Sequence, residues 1–170
     1  TILEPYTNRQ DMKVTALIIP IEEKGRVVGN IGLAIDFEEL QDIINGFDIF
    51  TTGFGRLLSN EGTVVAHPDP NRLWDESGDF KGEKEDKYRS VVANGELFYD
   101  DAYSASLGQK VFKSFAPVKI GETKTPWSFG TVVPQGEMFA EVTAMRNKVI
   151  IISLVAFIIL AVFIIVFTNK

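Results

Sequence analysis

The chemistry open to this sequence is limited by a single histidine and by the absence of cysteine. His67 precedes Pro68-Asp69-Pro70, which places it at a turn after a strand. A zinc site or a nucleophile–base–acid arrangement needs partner side chains that one histidine without cysteine does not supply. A hydrolase would have to use an unusual serine or carboxylate arrangement. We therefore expect no catalytic residue, no metal site and no cofactor.

Two other segments resemble known binding loops only superficially. Gly53-Phe54-Gly55 lacks the third glycine and the helix start of a dinucleotide-binding loop, so we interpret it as a bend entering a strand. The acidic run between Asp75 and Asp86 does not follow the ligand spacing of a calcium-binding EF-hand loop. It is expected to be part of a solvated surface loop.

A small-molecule site is the more open question, and it concerns the strands. Tyr99, Tyr103 and Trp127, with Phe112 and Phe115, lie on segments that would line one cavity. Aromatic walls with few polar groups fit a ligand site and a hydrophobic core equally well, so both interpretations stand.

Asn30 is the polar member of an otherwise small strand face formed with Val28, Gly32 and Ala34. The close approach of a ligand would explain that face, and so would the close approach of another backbone.

The elements that would position these residues begin with two hairpins. Residues 13–20 and 26–35 alternate between apolar and polar side chains on either side of Glu23-Lys24-Gly25. The segments GRLLS and TVVAH flank Asn60-Glu61-Gly62 in the same way. Between the hairpins, Asp36 with Glu39 three residues later predicts an N-capped helix over 37–46. We interpret Asp36 as that cap.

The remaining segments complete a mixed domain. A stretch rich in Pro, Gly, Asp and Glu over 68–85 predicts a surface loop, followed by a short helix over 84–93. Strands are predicted over 97–104, 109–118 and 127–134. The pattern predicts an α+β fold with a PAS-like antiparallel sheet and flanking helices.

The C-terminal part reads as a membrane anchor. Val149–Thr168 is 20 residues long and carries no charge, which at about 1.5 Å per residue spans a hydrocarbon core of about 30 Å. Before it, 135–148 has helical periodicity with Met138, Val142 and Met145 on one stripe, which favours packing against another helix, either an N-terminal one before residue 1 or that of a second subunit. A homodimer is the expected assembly. Membrane lipid is thus an expected partner of 149–168.

Charge excludes one class of partner. Fifteen basic and 23 acidic residues precede Lys148, a net charge of −8. Nucleic acid is therefore not expected to bind. The positive-inside rule does not decide the orientation of the span, because Arg146 and Lys148 lie before it and Lys170 after it.

Four landmarks in this order resemble the double Cache sensor domains of bacterial methyl-accepting chemotaxis receptors and sensor kinases. They are Glu4-Pro5-Tyr6; Val28-Gly29-Asn30-Ile31-Gly32 leading to Asp36-Phe37-Glu38-Glu39-Leu40; Gly53-Phe54-Gly55 through Gly62-Thr63-Val64-Val65-Ala66-His67-Pro68; and Trp127 through Val133-Pro134.

The resemblance implies that 1–47 is the tail of a membrane-distal Cache module and 48–134 a membrane-proximal one. A juxtamembrane helix over 135–148 and a transmembrane helix over 149–168 would follow. It further implies a sensor domain outside the cytoplasm, anchored in the inner (plasma) membrane, with further segments before residue 1 and a signalling module after residue 170. The expected partner is a small-molecule ligand or a periplasmic binding protein, and the output is chemotaxis or, alternatively, a histidine kinase or cyclase. The alternatives from other classes are a membrane-tethered extracytoplasmic enzyme and a structural surface domain.

In relatives that bind amino acids, the resemblance assigns ligand contacts to a tyrosine and an aspartate of the distal module. Tyr6 matches the tyrosine, whereas Ala34 occupies the aspartate position and offers no carboxylate to an α-ammonium group. An amino acid is therefore not the expected ligand. The candidate ligand-binding residues are Tyr6, Asn30, Tyr99, Tyr103 and Trp127.

Overall fold

The computed structural model describes residues 2–104 and 107–168, which form two antiparallel sheets with flanking helices. The elements are β1 (Tyr6–Thr7), β2 (Lys13–Glu23), β3 (Arg26–Ile35), α1 (Phe37–Asn45), β4 (Phe54–Leu58), β5 (Val64–Ala66), a 3-10 helix (Pro70–Arg72), α2 (Glu85–Asn94), β6 (Phe98–Ser104), β7 (Gln109–Val118), β8 (Trp127–Pro134), α3 (Gln135–Met138) and α4 (Ala140–Thr168). One sheet has the order β1-β2-β3 and the other β5-β4-β8-β7-β6. The predicted α+β class is confirmed.

The first hairpin joins β2 and β3 through a two-residue turn, Lys24-Gly25. Both residues have left-handed φ angles, 51° and 74°, which is what the tightest antiparallel turn requires. Pairing therefore continues to Glu23 opposite Arg26, three residues beyond the strand end predicted at Pro20. The predicted hairpin is confirmed.

Helix α1 begins where the sequence predicts it. The Asp36 side chain accepts a hydrogen bond of 3.0 Å from the Glu38 backbone N–H, so the capping role of Asp36 is confirmed. The helix ends at Asn45, one residue before the predicted end, with Gly46 as its C-cap. It buries Phe37 and Ile44 against the five-stranded sheet.

The five-stranded sheet is buried on two faces. On the first face, α2 and the segment before it cover the side chains of Leu58, Val64, Phe80, Tyr88, Val91, Val92 and Phe115. On the second face, α1 packs with Ile2, Leu57, Val65, Ala66 and Trp127. Strands β4 to β8 and helix α2 all begin within one residue of the predicted starts.

The prediction of a solvated loop over 68–85 is wrong for its middle. Ser77, Asp79 and Phe80 are 0%, 6% and 2% exposed. The segment folds back onto the β4–β5 turn, where the Ser77 backbone N–H donates to the Gly62 carbonyl at 2.9 Å. Phe80 can then fill the first-face core and Asp79 can reach charged strand residues.

The C-terminal unit, from residue 135 onward, is helical and separate from the compact unit formed by the residues before it. A single turn residue, Phe139, separates α3 from α4, yet hydrogen bonds of 3.1 Å (Phe139 N–H to Gln135) and 2.9 Å (Thr143 N–H to Phe139) continue the helical pattern. Helix α4 is 29 residues long, is apolar enough to cross a membrane, and its most apolar stretch is not buried within the unit. The division of 1–134 into modules at residue 47 stays a prediction.

Candidate ligand-binding cleft

An open cleft of about 960 Å³ lies at the first face of the five-stranded sheet. Its walls come from all five strands of that sheet, from the segment between the 3-10 helix and α2, and from the first turn of α2. Phe54, Val64 and Val132 supply apolar wall, and most of the remaining lining is charged. The cleft is roomy enough for a small metabolite.

The floor of the cleft holds three buried charges, which we call the ion triad: Arg56, Asp79 and Lys113. The Arg56 guanidinium pairs with Asp79 Oδ2, and Lys113 Nζ lies 2.6 Å from Asp79 Oδ1. The Ser77 hydroxyl also donates to Asp79 Oδ2, at 3.3 Å. The three side chains are 9%, 4% and 11% exposed.

The ion triad carries an excess positive charge. Burial by itself would raise the pKa of Asp79, but the charges of Arg56 and Lys113 and their hydrogen bonds outweigh it and lower the pKa. Asp79 is therefore an anion, and two cations share it. Among the described residues, the buried Arg56 Nε has no hydrogen-bond partner, an expensive state for a guanidinium nitrogen.

Gly130 gives Arg56 the room to lie flat on the sheet. It stands directly across from Arg56 in the β4–β8 register. A Cβ at this position would come within 3.2 Å of Arg56 Nε and 3.5 Å of its Cγ. A Cβ here would be in tight contact with the Arg56 side chain, which would have to shift by a few tenths of an ångström.

A second polar group closes one side of the cleft. Lys84 Nζ lies 2.5 Å from Asp100 Oδ2, and the Tyr88 hydroxyl donates to the same oxygen at 3.1 Å. Burial, and then the hydrogen bond to Asp100, raises the pKa of Tyr88, so it stays a neutral donor. Burial would raise the pKa of Asp100, but Lys84 and Tyr88 together lower it. The Lys84–Asp100 pair carries no net charge.

His67 lies in the turn that the sequence predicts and also lines the cleft. Its ring packs edge-on against Phe54 with centroids 4.9 Å apart, and its Nδ1 accepts a hydrogen bond of 2.9 Å from the Asp69 N–H. Burial, followed by the charge of Arg56, lowers the pKa of His67. The imidazole is thus neutral at pH 7.

The five candidate binding residues are not brought together. Tyr103 lies among the lining residues at the edge strand of the cleft. Tyr99 is exposed and stacks on Phe112, on the second face, where Trp127 is buried beside Phe37. On the three-stranded sheet, Tyr6 and Asn30 are both exposed.

The expectation that the strand aromatics line one cavity is therefore wrong. Strand alternation sends Phe115 to the first face, and Tyr99, Phe112 and Trp127 to the second. Tyr103 has the parity of Tyr99, yet it is among the residues that line the cleft.

Sequence reasoning missed the ion triad. The available signal was a charged residue at an inward position of a strand, because Arg56 stands between Phe54 and Leu58, and Lys113 between Val111 and Phe115. A strand that buries its apolar residues also buries a charge of the same parity, and a buried charge needs a partner.

Sequence comparison relates the chain to curated chemoreceptors. It is 26% identical over 157 residues to the methyl-accepting chemotaxis protein PctB of Pseudomonas aeruginosa, covering 92% of this chain and 23% of that protein. It is 26% identical over 152 residues to the methyl-accepting chemotaxis protein McpG of Pseudomonas putida, covering 89% of this chain and 22% of that protein. The chain thus spans less than a quarter of these relatives. No protein-family model matches it.

Solved structures share the fold. The extracellular domain of mmHK1S-Z3, assigned as a histidine kinase, superposes with a TM-score of 0.74 at 26% identity, over 85% of this chain and 52% of that one. The periplasmic sensory domain of the Campylobacter jejuni chemoreceptor Tlp1 gives 0.63 at 21% identity, over 81% and 50%. The ligand-binding domain of Pseudomonas aeruginosa PctB in complex with L-Gln gives 0.60 at 23% identity, over 91% and 59%.

The sequence matches and the structural matches indicate the same kind of sensor protein, and the α+β fold agrees with both. The chain is a homologue of methyl-accepting chemotaxis receptors, and its fold is that of the Cache-type sensor domains of chemoreceptors and histidine kinases.

Proposed function

We propose that this chain is the ligand-sensing and membrane-anchoring part of a transmembrane chemotaxis receptor, with the sensor domain outside the cytoplasm and a single span, 149–168, in the inner membrane. The observation that supports this most is that a Cache-type sensor fold runs straight into a 29-residue apolar helix. Relatives named as methyl-accepting chemotaxis proteins support the output.

The ligand is a small molecule, and its site is the cleft on the five-stranded sheet. Solved relatives hold L-Gln and L-Arg, which supports small-molecule binding by this fold. Tyr103 is the candidate binding residue that lines the cleft, so we retain it there. Tyr6, Asn30, Tyr99 and Trp127 stay candidates for contacts elsewhere, and a periplasmic binding protein stays an alternative partner.

The mechanism couples the sheet to the helix. Ligand binding shifts the strands, and β8 passes the shift to α3 and α4, which contain no glycine or proline after Gly136. A displacement of about 1–2 Å is the usual size of such a helix shift. The domain itself catalyses no reaction.

A glycine pair in the helix tests the coupling. In the full-length receptor in cells, changing Thr143 and Ala144 to glycine should reduce the attractant-induced change in output while leaving ligand binding intact, because glycine loosens a helix by about 1 kcal/mol per residue. Thr143→Ala, which keeps the helix, is the matched control. Normal signalling by the glycine variant would count against the rod-like coupling.

The second candidate output is histidine kinase signalling, with this domain as the sensor. The TM-score with mmHK1S-Z3 is 0.74, higher than the TM-scores with Tlp1 and PctB. The sequence after residue 170 decides between the two, since methylation heptads and a phosphoacceptor histidine are readily told apart.

We also propose a homodimer through the juxtamembrane stripe. Val142 and Met145 are 65% and 69% exposed, and Met138 lies on the same helical stripe. Cysteines introduced at Val142 should cross-link between two copies in membranes, whereas a cysteine at Thr143 should cross-link less; equal cross-linking at the two positions would contradict this face.

A further inference from the structure

We infer that the cleft binds its small molecule through one carboxylate, seated against Arg56 and Lys113, and that it discriminates against a second negative charge. The inference rests on the proposed sensor function and adds the chemical class of the ligand.

The charge of the floor calls for an anion. Arg56 and Lys113 together face one carboxylate, that of Asp79. Including the neighbouring Lys84–Asp100 pair leaves the excess of one positive charge unchanged. Because an uncompensated charge is costly where water is scarce, a bound anion would relieve a cost that the free protein bears.

The floor also has hydrogen-bond donors to spare. A guanidinium has five N–H groups and an ammonium three. The bonds observed use Arg56 Nη1 for Ser77 and Nη2 for Asp79, and one Lys113 donor for Asp79. Arg56 Nε has no partner among the described residues but is fully buried, so the donors left for a ligand are those of the Arg56 Nη groups and of Lys113. Donors of this kind suit the planar oxygens of a carboxylate.

The outer part of the cleft has the opposite charge. Six exposed charged residues line it: Asp75, Glu76, Glu83, Asp101, Arg72 and Lys81. Arg89 pairs with Glu76 at 2.7 Å, so four carboxylates face three cations. The remaining negative charge repels a second anionic group on the ligand while the floor attracts the first. The cleft therefore suits a monocarboxylate better than a dicarboxylate.

The wall suggests the rest of the ligand. Phe54, Val64 and Val132 line the cleft beside the floor, and the two valines are 4% and 2% exposed. Because the valines are already buried, a short aliphatic chain attached to the carboxylate would cover mainly the half-buried Phe54 ring.

Sodium propionate, propionamide and disodium succinate test the inference on the whole chain in detergent micelles at constant chloride. We expect saturable binding of propionate by calorimetry and a matching rise in Tm, at least tenfold weaker binding of succinate, and none of propionamide. Propionamide binding as tight as propionate, or succinate binding tighter, would overturn the inference.

Removing the excess charge gives the matched comparison. Lys113→Met should weaken propionate binding at least tenfold, since it leaves Arg56 and Asp79 balanced. Lys110→Met makes the same change three residues away on the same strand, at an exposed position on the second face, and should bind propionate as the wild type does. Equal affinities of the two variants would also overturn the inference.

A second variant, which changes the counter-charge instead, keeps the inference testable if Lys113→Met does not fold. Asp79→Asn leaves two cations without an anion, so its Tm should fall and propionate should raise that Tm more than it raises the wild-type Tm. A smaller rise would contradict the seat at Arg56 and Lys113. If a neutral metabolite instead stabilises the wild type and elicits output, the anion inference fails while the sensor proposal stands; a receptor without any ligand-dependent output defeats the sensor proposal itself.

Discussion

In both sheets of this protein apolar and polar side chains alternate along the strands, but the apolar side chains are buried to different extents. In the five-stranded sheet, Val111 and Val132 are 0% and 2% exposed, whereas in the three-stranded sheet Ile31 and Leu33 are 61% and 63% exposed. The first sheet lies between α1 and α2, and among the residues described no helix covers the apolar side chains of the second. Alternation thus identifies the face a strand can bury, and the covering element decides whether it is buried.

The largest contrast is expected from apolar truncation. Trp127→Ala should lower the free energy of unfolding by about 3–5 kcal/mol, because the ring is fully buried against Phe37. Leu33→Ala should lower it by less than about 0.5 kcal/mol. Urea unfolding in micelles, followed by far-UV circular dichroism, measures both, and equal losses would contradict the contrast.

Removing a charged side chain should also lower the free energy of unfolding more at the five-stranded sheet than at the three-stranded sheet. Asp79→Ala should cost about 3–5 kcal/mol, because it strands Arg56 and Lys113 in the interior. Glu23→Ala, at the exposed end of the first hairpin, should change the free energy of unfolding by less than about 0.5 kcal/mol. A mild effect of Asp79→Ala would show that water reaches the ion triad freely.

The two hairpin turns offer a finer comparison. Gly25 and Gly62 both have positive φ, 74° and 91°. Gly25→Ala has open space and should cost about 1–2 kcal/mol from backbone strain alone. Gly62→Ala should cost a further ~1–3 kcal/mol, because its Cβ would collide with the Phe80 ring. Thermal unfolding of both variants checks the order, and a reversal would refute the packing of Phe80 under that turn.

The smallest effect on the free energy of unfolding is expected from a change of pH. It acts through His67, which lies beside the five-stranded sheet. The pKa of His67 is lowered from 6.5 by burial, so above pH 6.5 the imidazole is neutral in both folded and unfolded chains. Below that pH the unfolded chain takes up the proton first, and the free energy of unfolding falls as pH falls towards the folded pKa. His67 is the only histidine, so His67→Asn should flatten the dependence of the free energy of unfolding on pH between pH 5.5 and 7. An unchanged slope would show that another group causes it.

Much of the fold was accessible from local sequence patterns. Alternation gave both hairpins, and the Asp36 side chain with its downstream acidic residues gave the start of α1, because these signals lie within a few residues of one another. The strand ends at Glu23 rather than Pro20 because the type of turn, which needs both Lys24 and Gly25 left-handed, is set by backbone angles that alternation does not report.

The candidate site was less accessible, for a physical reason. Arg56, Asp79 and Lys113 are 23 and 34 residues apart in sequence and meet only because the segment before α2 folds onto the sheet. Its acidic, glycine-containing composition is that of a solvated loop, and the burial of Phe80 overrides that tendency. The aromatic candidates Tyr99 and Trp127 lie away from the cleft, since the register that separates them from Phe115 depends on pairing between strands.

Strand β8 has a mechanical consequence. It occupies the middle of the five-stranded sheet, hydrogen-bonded to β4 on one side and to β7 on the other, and the chain passes from Pro134 directly into α3. Removing β8 from the sheet would break the hydrogen bonds to both of its neighbours. The C-terminal helix is therefore joined to a strand that is held on two sides rather than to an edge strand.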